Sequence, residues 1–458
     1  MDDPAGALDT PGIRMSVASM PRAPGVPVLG SLFGFFRDPL AFFRSTARLG
    51  SVVDLRFPGS RSFQLSDPAD IEYVVVTANK SLVKDETLRD LRRVVGEGLL
   101  TSEGDFWRRQ RRLAQPAFHR DRLRTYAADM VSSTDRAMAG LRAGETRDVH
   151  DVLMRLTLDI VAQTLFGSDI GDGAAAIGDL MAATTERYES VLGLIFPGLD
   201  RVPIPRNLRL RASLRRADAV VYGIIAGRQR AGGGARQDLL SMLLEARDDD
   251  GTRMTDRQLR DEVMTMVLAG HETTANALAW ALFLLSQDPR ADARLRAELS
   301  TVLGGRLPTL DDLPNLPYVG CVVSEALRLY PPAWAIGREV AEPVELRGFR
   351  FPKGAQLYFS QWVVHRDPRY FEDPEAFRPE RWADGLARRL PRFAYFPFGG
   401  GPRACIGNAF ATMEAALVLA TIAQRFRFAL APGHRVAPRA SITLRPRYGM
   451  SMKVLARG

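Results

Sequence analysis

The chain has 458 residues, 46% of them hydrophobic and 25% charged, proportions that support one sizeable buried core and confine disorder to the ends. Lys and Arg outnumber Asp and Glu by 62 to 53, a net charge of +9. The basic residues are interspersed with acids and form no patch interleaved with aromatics, which weighs against nucleic acid and favours an acidic protein partner.

No low-complexity tract, linker or fixed-period repeat divides the chain, so residues 21–458 are expected to form a single domain behind a flexible stretch at 1–20. That stretch is rich in Pro and Gly and lacks the basic and apolar regions of a signal peptide. No run of about 18 apolar residues occurs, so no membrane anchor is indicated. Cys321 and Cys405 can in principle pair, but two cysteines make no disulfide framework, and a reduced cytoplasmic setting is the simpler reading.

In chain order, short β-like runs come first, at 52–57 and 62–65. Apolar residues at helical spacing predict helices around 152–165 and 239–244. Thr255, with Gln258 three residues on, forms a capping box that opens a helix of roughly 30 residues, about 45 Å long, ending at the Gln-Asp-Pro of 287–289. Its centre reads LAGHETTAN, where Gly270 and two threonines interrupt an apolar face and Glu272 sits where charge is costly. Alone, the segment reads either as a solvated Thr-rich turn or as a polar gap beside a buried reaction site, since Thr hydroxyls can take a carbonyl from the i−4 ladder and open the helix. Residues 305–318 and 366–402 are Pro-rich and irregular, held by specific contacts. β-like runs at 355–359 and 442–444 and an apolar helix at 410–426 complete a mainly α fold with small β-sheets.

Cys405 lies in FPFGGGPRACIGNAFA, between a glycine-rich loop and that last helix. A core filler would not need Gly399, Gly400, Gly401 and Gly407 around it. Close backbone N–H groups and the positive end of the following helix both favour thiolate. A nucleophile wants a His base, and none of the five histidines is near it in sequence. Zinc wants three or four Cys/His ligands at short spacing, which are absent. A single thiolate on a cofactor that supplies its own other ligands, as haem does, is the remaining reading.

The same segment carries Phe398, Gly401, Arg403, Cys405 and Gly407 in the haem-loop pattern F-x-x-G-x-R-x-C-x-G, and here the chain resembles the cytochrome P450 family. The resemblance extends over nearly the full length, through WRRQR at 107–111, AGHETT at 269–274, EALR at 325–328 and FRPERW at 377–382. It implies the cytochrome P450 fold, with the long central helix over haem b. Cys405 is then the metal ligand, Phe398 packs beside its sulfur, and Trp107, Arg111, Arg338 and Arg403 reach the haem propionates. Glu325, Arg328 and Arg381 form a buried structural network, with His365 in the same framework. Glu272 and Thr273 match the family's acid-alcohol pair, which organises water and passes protons to the dioxygen being activated. His271, between them and Gly270, occupies a variable position turned from the haem.

The resemblance implies a monooxygenase that inserts one atom of dioxygen into a C–H or C=C bond, as in secondary metabolism. No dinucleotide fingerprint or iron–sulfur cysteine set is present, so electrons come ultimately from NAD(P)H through a separate ferredoxin or flavodoxin and its reductase. That partner is expected to dock on a basic face including Arg108, Arg109 and Arg112. A soluble cytoplasmic monomer is expected. Pocket walls are expected from residues 82–100, 192–204, 264–269 and 334–336, with Val267, Ala269, Trp334 and Ile336 facing the substrate. Arg89, Arg92 and Arg93 sit at the entrance, to attract a carboxylate or simply to be solvated. The apolar stretch at 192–199 reads as a substrate lid rather than a membrane contact. A hydrophobic substrate such as a terpene, fatty acid or polyketide fits. Two readings from other classes stand beside this one: a haem-thiolate isomerase or dehydratase that uses no dioxygen, and a non-catalytic haem protein that binds a ligand.

Overall fold

The computed structural model describes residues 20–167, 171, 173–188, 202–232, 238–247 and 251–456. The expected flexible stretch, apart from Met20, and the expected lid at 192–199 lie outside the described residues. Among the described residues, nine helices exceed ten residues: α1 Gly104–Ala114, α2 Arg120–Ala139, α3 Val149–Phe166, α4 Gly173–Tyr188, α5 Pro205–Arg230, α6 Asp256–Gln287, α7 Pro289–Leu303, α8 Pro317–Leu329 and α9 Asn408–Arg425.

Helix α6 forms where its capping chemistry places it. The Thr255 hydroxyl accepts from the Gln258 amide at 3.2 Å, and the Gln258 side chain accepts from the Thr255 amide at 2.8 Å. The helix stops at Asp288, extended at φ −124°, because the Pro289 ring disfavours helical geometry in the residue before it. Its 32 residues span about 48 Å at the standard rise. The helix stays α-helical through the threonines, so the expected local opening is absent, although Thr273 and Thr274 both bond back to i−4 carbonyls, at 2.8 and 3.2 Å. Gly270 is required by α3: a Cβ there would stand 2.9 Å from Val161 Cγ2. His271 is buried, its Nδ1–H on the Val267 carbonyl at 2.9 Å, while its own carbonyl accepts from Thr157 on α3.

The largest sheet has five short strands: β1 Val52–Asp54, β2 Ser62–Leu65, β3 Leu82–Lys84, β4 Ile336–Val340 and β5 Gln356–Phe359, in the order β1-β2-β5-β4-β3. Only β2 and β5 run parallel. The expected run at 52–57 ends at Asp54, where Arg56 turns to φ +54°, and the one at 442–444 gives only its last residue to a strand, Leu444–Pro446.

The irregular segment after β5 is anchored on α8. All five N–H groups of Arg328 are satisfied: two by Glu325, both at 2.9 Å, and three by the carbonyls of His365, Pro374 and Ala376. Glu325 also accepts from Arg381 Nε at 3.0 Å, the Trp382 indole at 2.9 Å and the Arg378 amide at 2.9 Å. Glu325 and Arg328 are fully buried. His365 extends this anchorage to the cysteine loop, its Nε2 accepting from the Phe396 amide at 2.9 Å. Burial, with Arg328 and Arg366 beside it, keeps that imidazole well below its usual range and therefore a neutral acceptor.

Candidate active site

The Cys405 loop is folded by its own backbone. The Cys405 amide donates to the Phe398 carbonyl at 2.9 Å, and Arg111 Nη1 on α1 donates to the Ala404 carbonyl at 2.8 Å. Gly401 is held at φ +65° with its Cα so near the Val75 carbonyl that a Cβ would lie 2.1 Å from that oxygen, so only glycine fits. Helix α9 starts just after the cysteine, and the Gly407 amide bonds to its sulfur. Burial pushes the thiol pKa up, while the Gly407 amide and the Arg111 guanidinium pull it down. The loop amide acts in the direction expected from sequence, the Arg111 guanidinium adds to it, and burial outweighs both. A coordinated metal ion is the charge that deprotonates such a thiol outright.

Cys405 opens onto a cavity of about 1920 Å³. Trp107, Arg111, Arg338, Phe398, Arg403 and Gly407 line it on the same side. The sheet adds Lys84, which sequence reasoning missed. Lys84 on β3 stands directly opposite Arg338 on β4, and both are buried; the Lys84 ammonium donates to the Leu99 and Ser102 carbonyls at 2.9 and 2.6 Å, and the carboxylates of Asp85 and Glu103 favour the charged form of Arg338. Burial lowers Lys84 to about 7 and Arg338 to about 10, with Arg403 adding to both shifts. Arg403 pairs with Glu103 and lies 5.0 Å over the Trp107 ring, yet its Nη1 is buried with no partner. The unpartnered Arg403 Nη1 and the buried Arg338 guanidinium beside an inward-facing cysteine fit a haem, whose iron would take the sulfur and whose carboxylates would take the two arginines. Among the described residues the Arg338 side chain donates only to the neighbouring Gly337 carbonyl, at 2.8 Å.

The facing wall is the middle of α6, where Met266, Ala269, Gly270, Glu272 and Thr273 line the cavity, together with Trp334 and Ile336. Val267 does not, contrary to expectation. It is 1% exposed and belongs to the core, because a residue two positions before Ala269 points to the opposite side of a helix. Glu272 is buried and accepts from Thr443 Oγ1 at 2.6 Å. Thr274 also borders the cavity, and its hydroxyl lies 3.0 Å from Oε2 of Glu414 on α9. Burial raises Glu414 to about 8, and its Oε1 has no partner. A lone Glu within an apolar helix was the sequence signal for it.

The entrance arginines are engaged in pairs. Arg89 is bound by Glu339, Arg92 pairs with Glu97 at 3.0 Å, and Arg93 with Asp90 at 3.0 Å. Outside the cavity, Arg108 pairs with Asp105 at 2.8 Å and, with Trp107, Arg111 and Arg112, borders a surface hollow of about 900 Å³. Both cysteines are unpaired. Among the described residues no helix is long and apolar enough to cross a membrane.

The family model for cytochrome P450 matches residues 20–453. The chain is 38% identical to cyclooctatin synthase of Streptomyces melanosporofaciens, over 92% of each chain. It is 35% identical to cyclooctat-9-en-7-ol 5-monooxygenase of the same organism, over 90% of each. Pentalenene oxygenase of Streptomyces avermitilis is also 35% identical, over 95% of this chain and 97% of the relative. With the cysteine loop, the cation wall and the α6 acid in one cavity, the chain belongs to the cytochrome P450 family and is a monooxygenase with haem iron as its cofactor.

Proposed function

We propose that this enzyme oxygenates a cyclic terpene, a hydrocarbon or a sparsely hydroxylated alcohol. The observation that carries the proposal is the cavity: apolar side chains such as Leu88, Met181, Met266, Leu268, Trp334 and Ile336 line it, and two of the cations on its wall away from the cysteine loop, Arg89 and Arg187, are matched by Glu339 and Asp90. A rigid hydrocarbon gains from such a lining, whereas a fatty acid would have to compete for guanidinium groups already in ion pairs. The terpene-oxidising relatives support the same substrate class.

The haem, bound through Cys405, supplies the activation of dioxygen. This chain's residues do the rest. Arg338, Arg403, Arg111 and Trp107, with Lys84 beside them, would hold the haem propionates. Glu272 and Thr273 supply protons from the opposite side. Apolar side chains hold the substrate and exclude water. Overall, one oxygen atom enters the substrate and the other leaves as water, using two protons and two electrons. Those electrons come from NAD(P)H through a ferredoxin or flavodoxin that docks near Arg108 and Arg112. Charge reversal at these two arginines slows reduction and flattens its salt dependence; unchanged rates would refute the docking site.

The substrate class is tested by titrating the haem-loaded enzyme with cyclic terpenes and with fatty acids, followed by turnover under labelled dioxygen. The proposal expects a spin-state shift of the Soret band and incorporation of one labelled atom with terpenes. Tighter binding and oxygenation of fatty acids would overturn it.

A further inference from the structure

Glu272 is the end of a chain of hydrogen bonds that runs from the cavity wall, where Thr443 also stands, through Asn276 to His150. Thr443 Oγ1 lies 2.6 Å from Glu272 Oε1, Asn276 Nδ2 lies 3.2 Å from Thr443 Oγ1, and Asn276 Oδ1 lies 2.8 Å from His150 Nε2. Glu272, Asn276 and Thr443 are all buried, and His150, in the first turn of α3, is the half-buried outer member.

The donors in this chain can be assigned by elimination. A carboxylate only accepts, so the single hydroxyl proton of Thr443 goes to Glu272. Thr443 must then accept from the Asn276 amide, which turns the Asn276 carbonyl toward His150. His150 therefore carries its hydrogen on Nε2. Every link donates toward Glu272, and aligned bonds in a low-dielectric interior strengthen one another.

The charged and titratable groups around His150 come from three directions. Asp148 caps α3, Glu272 and His271 face it from α6, and Arg445 faces it from the strand Leu444–Pro446. Burial lowers the His150 pKa, and its bond to Asn276 and the anions of Asp148 and Glu272 oppose that shift. The outer member is thus a neutral imidazole at neutral pH.

We propose that His150 is a positioning residue for Glu272, acting through Asn276 and Thr443 to fix the orientation from which its carboxyl group, once it has taken up a proton, passes that proton to the cavity. This rests on the reading of Glu272 as the proton-supplying acid. When protons are supplied out of place, dioxygen takes up two electrons and two protons and leaves as hydrogen peroxide, so the readout is the ratio of product to reduced nicotinamide consumed.

The experiment compares the parent with E272Q, T443V, H150A and H150Q in the haem-loaded enzyme, measuring coupling, peroxide release, the substrate-induced Soret shift and the melting temperature. E272Q, T443V and H150A should each lower coupling several-fold with the Soret shift retained. H150Q should restore it, because the Gln amide can donate to Asn276. Coupled H150A beside uncoupled E272Q would overturn the inference and leave the Glu272 reading intact. Normal coupling in E272Q would overturn both. Uncoupling that follows lost haem or lowered melting temperature, without rescue by H150Q, would mark His150 as merely structural and also overturn it. A readout independent of turnover is imidazole nitrogen NMR of the diamagnetic carbon monoxide form, tractable with only five histidines. His150 should show hydrogen on Nε2, and an Nδ1–H tautomer would refute the assigned chain.

Discussion

Replacing Glu325 with Ala tests the anchorage of the cysteine loop. The change removes the acceptor for five donors: two N–H groups of Arg328, one of Arg381, the Trp382 indole and the Arg378 amide. Arg328 is fully buried, so its charge would lose its only carboxylate among the described residues, with no access to water. Each unmet buried donor costs about 1–3 kcal/mol, but the shared site relaxes as a unit, and breaking a buried ion pair from one side typically costs about 3–5 kcal/mol. That loss lowers the folded-to-unfolded ratio by about two to four powers of ten. Guanidinium unfolding of the haem-loaded protein, followed by tryptophan fluorescence and Soret absorbance, measures it. Because Arg328 also holds the carbonyls of His365, Pro374 and Ala376, the two signals should fall together. A Glu325→Ala protein that loses less than about 1 kcal/mol, in the range of an exposed pair, would refute the reasoning.

Gly401→Ala should lower both haem content and melting temperature, since a left-handed conformation costs an L-residue about 1–2 kcal/mol before the clash with the Val75 carbonyl is counted. Gly433→Ala, at φ +76° with nothing within 4 Å of the added Cβ, is the control that bears the conformational cost alone; equal effects of the two would contradict the close-approach argument. Arg403→Leu should speed haem release about 10- to 100-fold, the loss of one charge-assisted bond of about 1.5–3 kcal/mol, read by transfer of haem to an acceptor protein; an unchanged rate would remove Arg403 from the propionate site. Glu414, raised to about 8 from 4.5, and Glu262, raised to about 7, keep protons in the folded chain that the unfolded chain releases. The folded state therefore binds more protons between about pH 4.5 and 8, and stability falls as pH rises through that window. Glu414→Gln should flatten this fall in denaturation midpoints, and an unaltered slope would show that Glu414 is not the source.

What could be read from the sequence was local. The Thr255 capping box and the proline after Asp288 set the ends of α6 within the chain itself, and the i, i+3 spacing of Glu325 and Arg328 makes their pairing a property of one helix turn. The cysteine loop was readable because its glycines answer a backbone demand that other residues cannot meet. Contacts that depend on distant segments left little trace. Lys84 belongs to a three-residue strand, and only its pairing across more than 250 residues with Arg338 turns it into part of a cation wall. Thr443 lies inside the β-like run at 442–444 and reaches Glu272 only through the packing of the C-terminal segment on α6. Val267 differs for another reason: the family resemblance marks the stretch 264–269 as pocket wall, whereas on a helix buried on both faces the direction of each side chain decides which residues of that stretch face the cavity.

The account stands or falls on Cys405 as the thiolate ligand of a haem. The most direct measurement is the absorption spectrum of the dithionite-reduced protein under carbon monoxide, taken for the parent and for Cys405→Ser. The account predicts a strongly red-shifted Soret band in the parent that disappears in the variant. A band typical of a neutral axial ligand in the parent, or the same red-shifted band in both proteins, would contradict it.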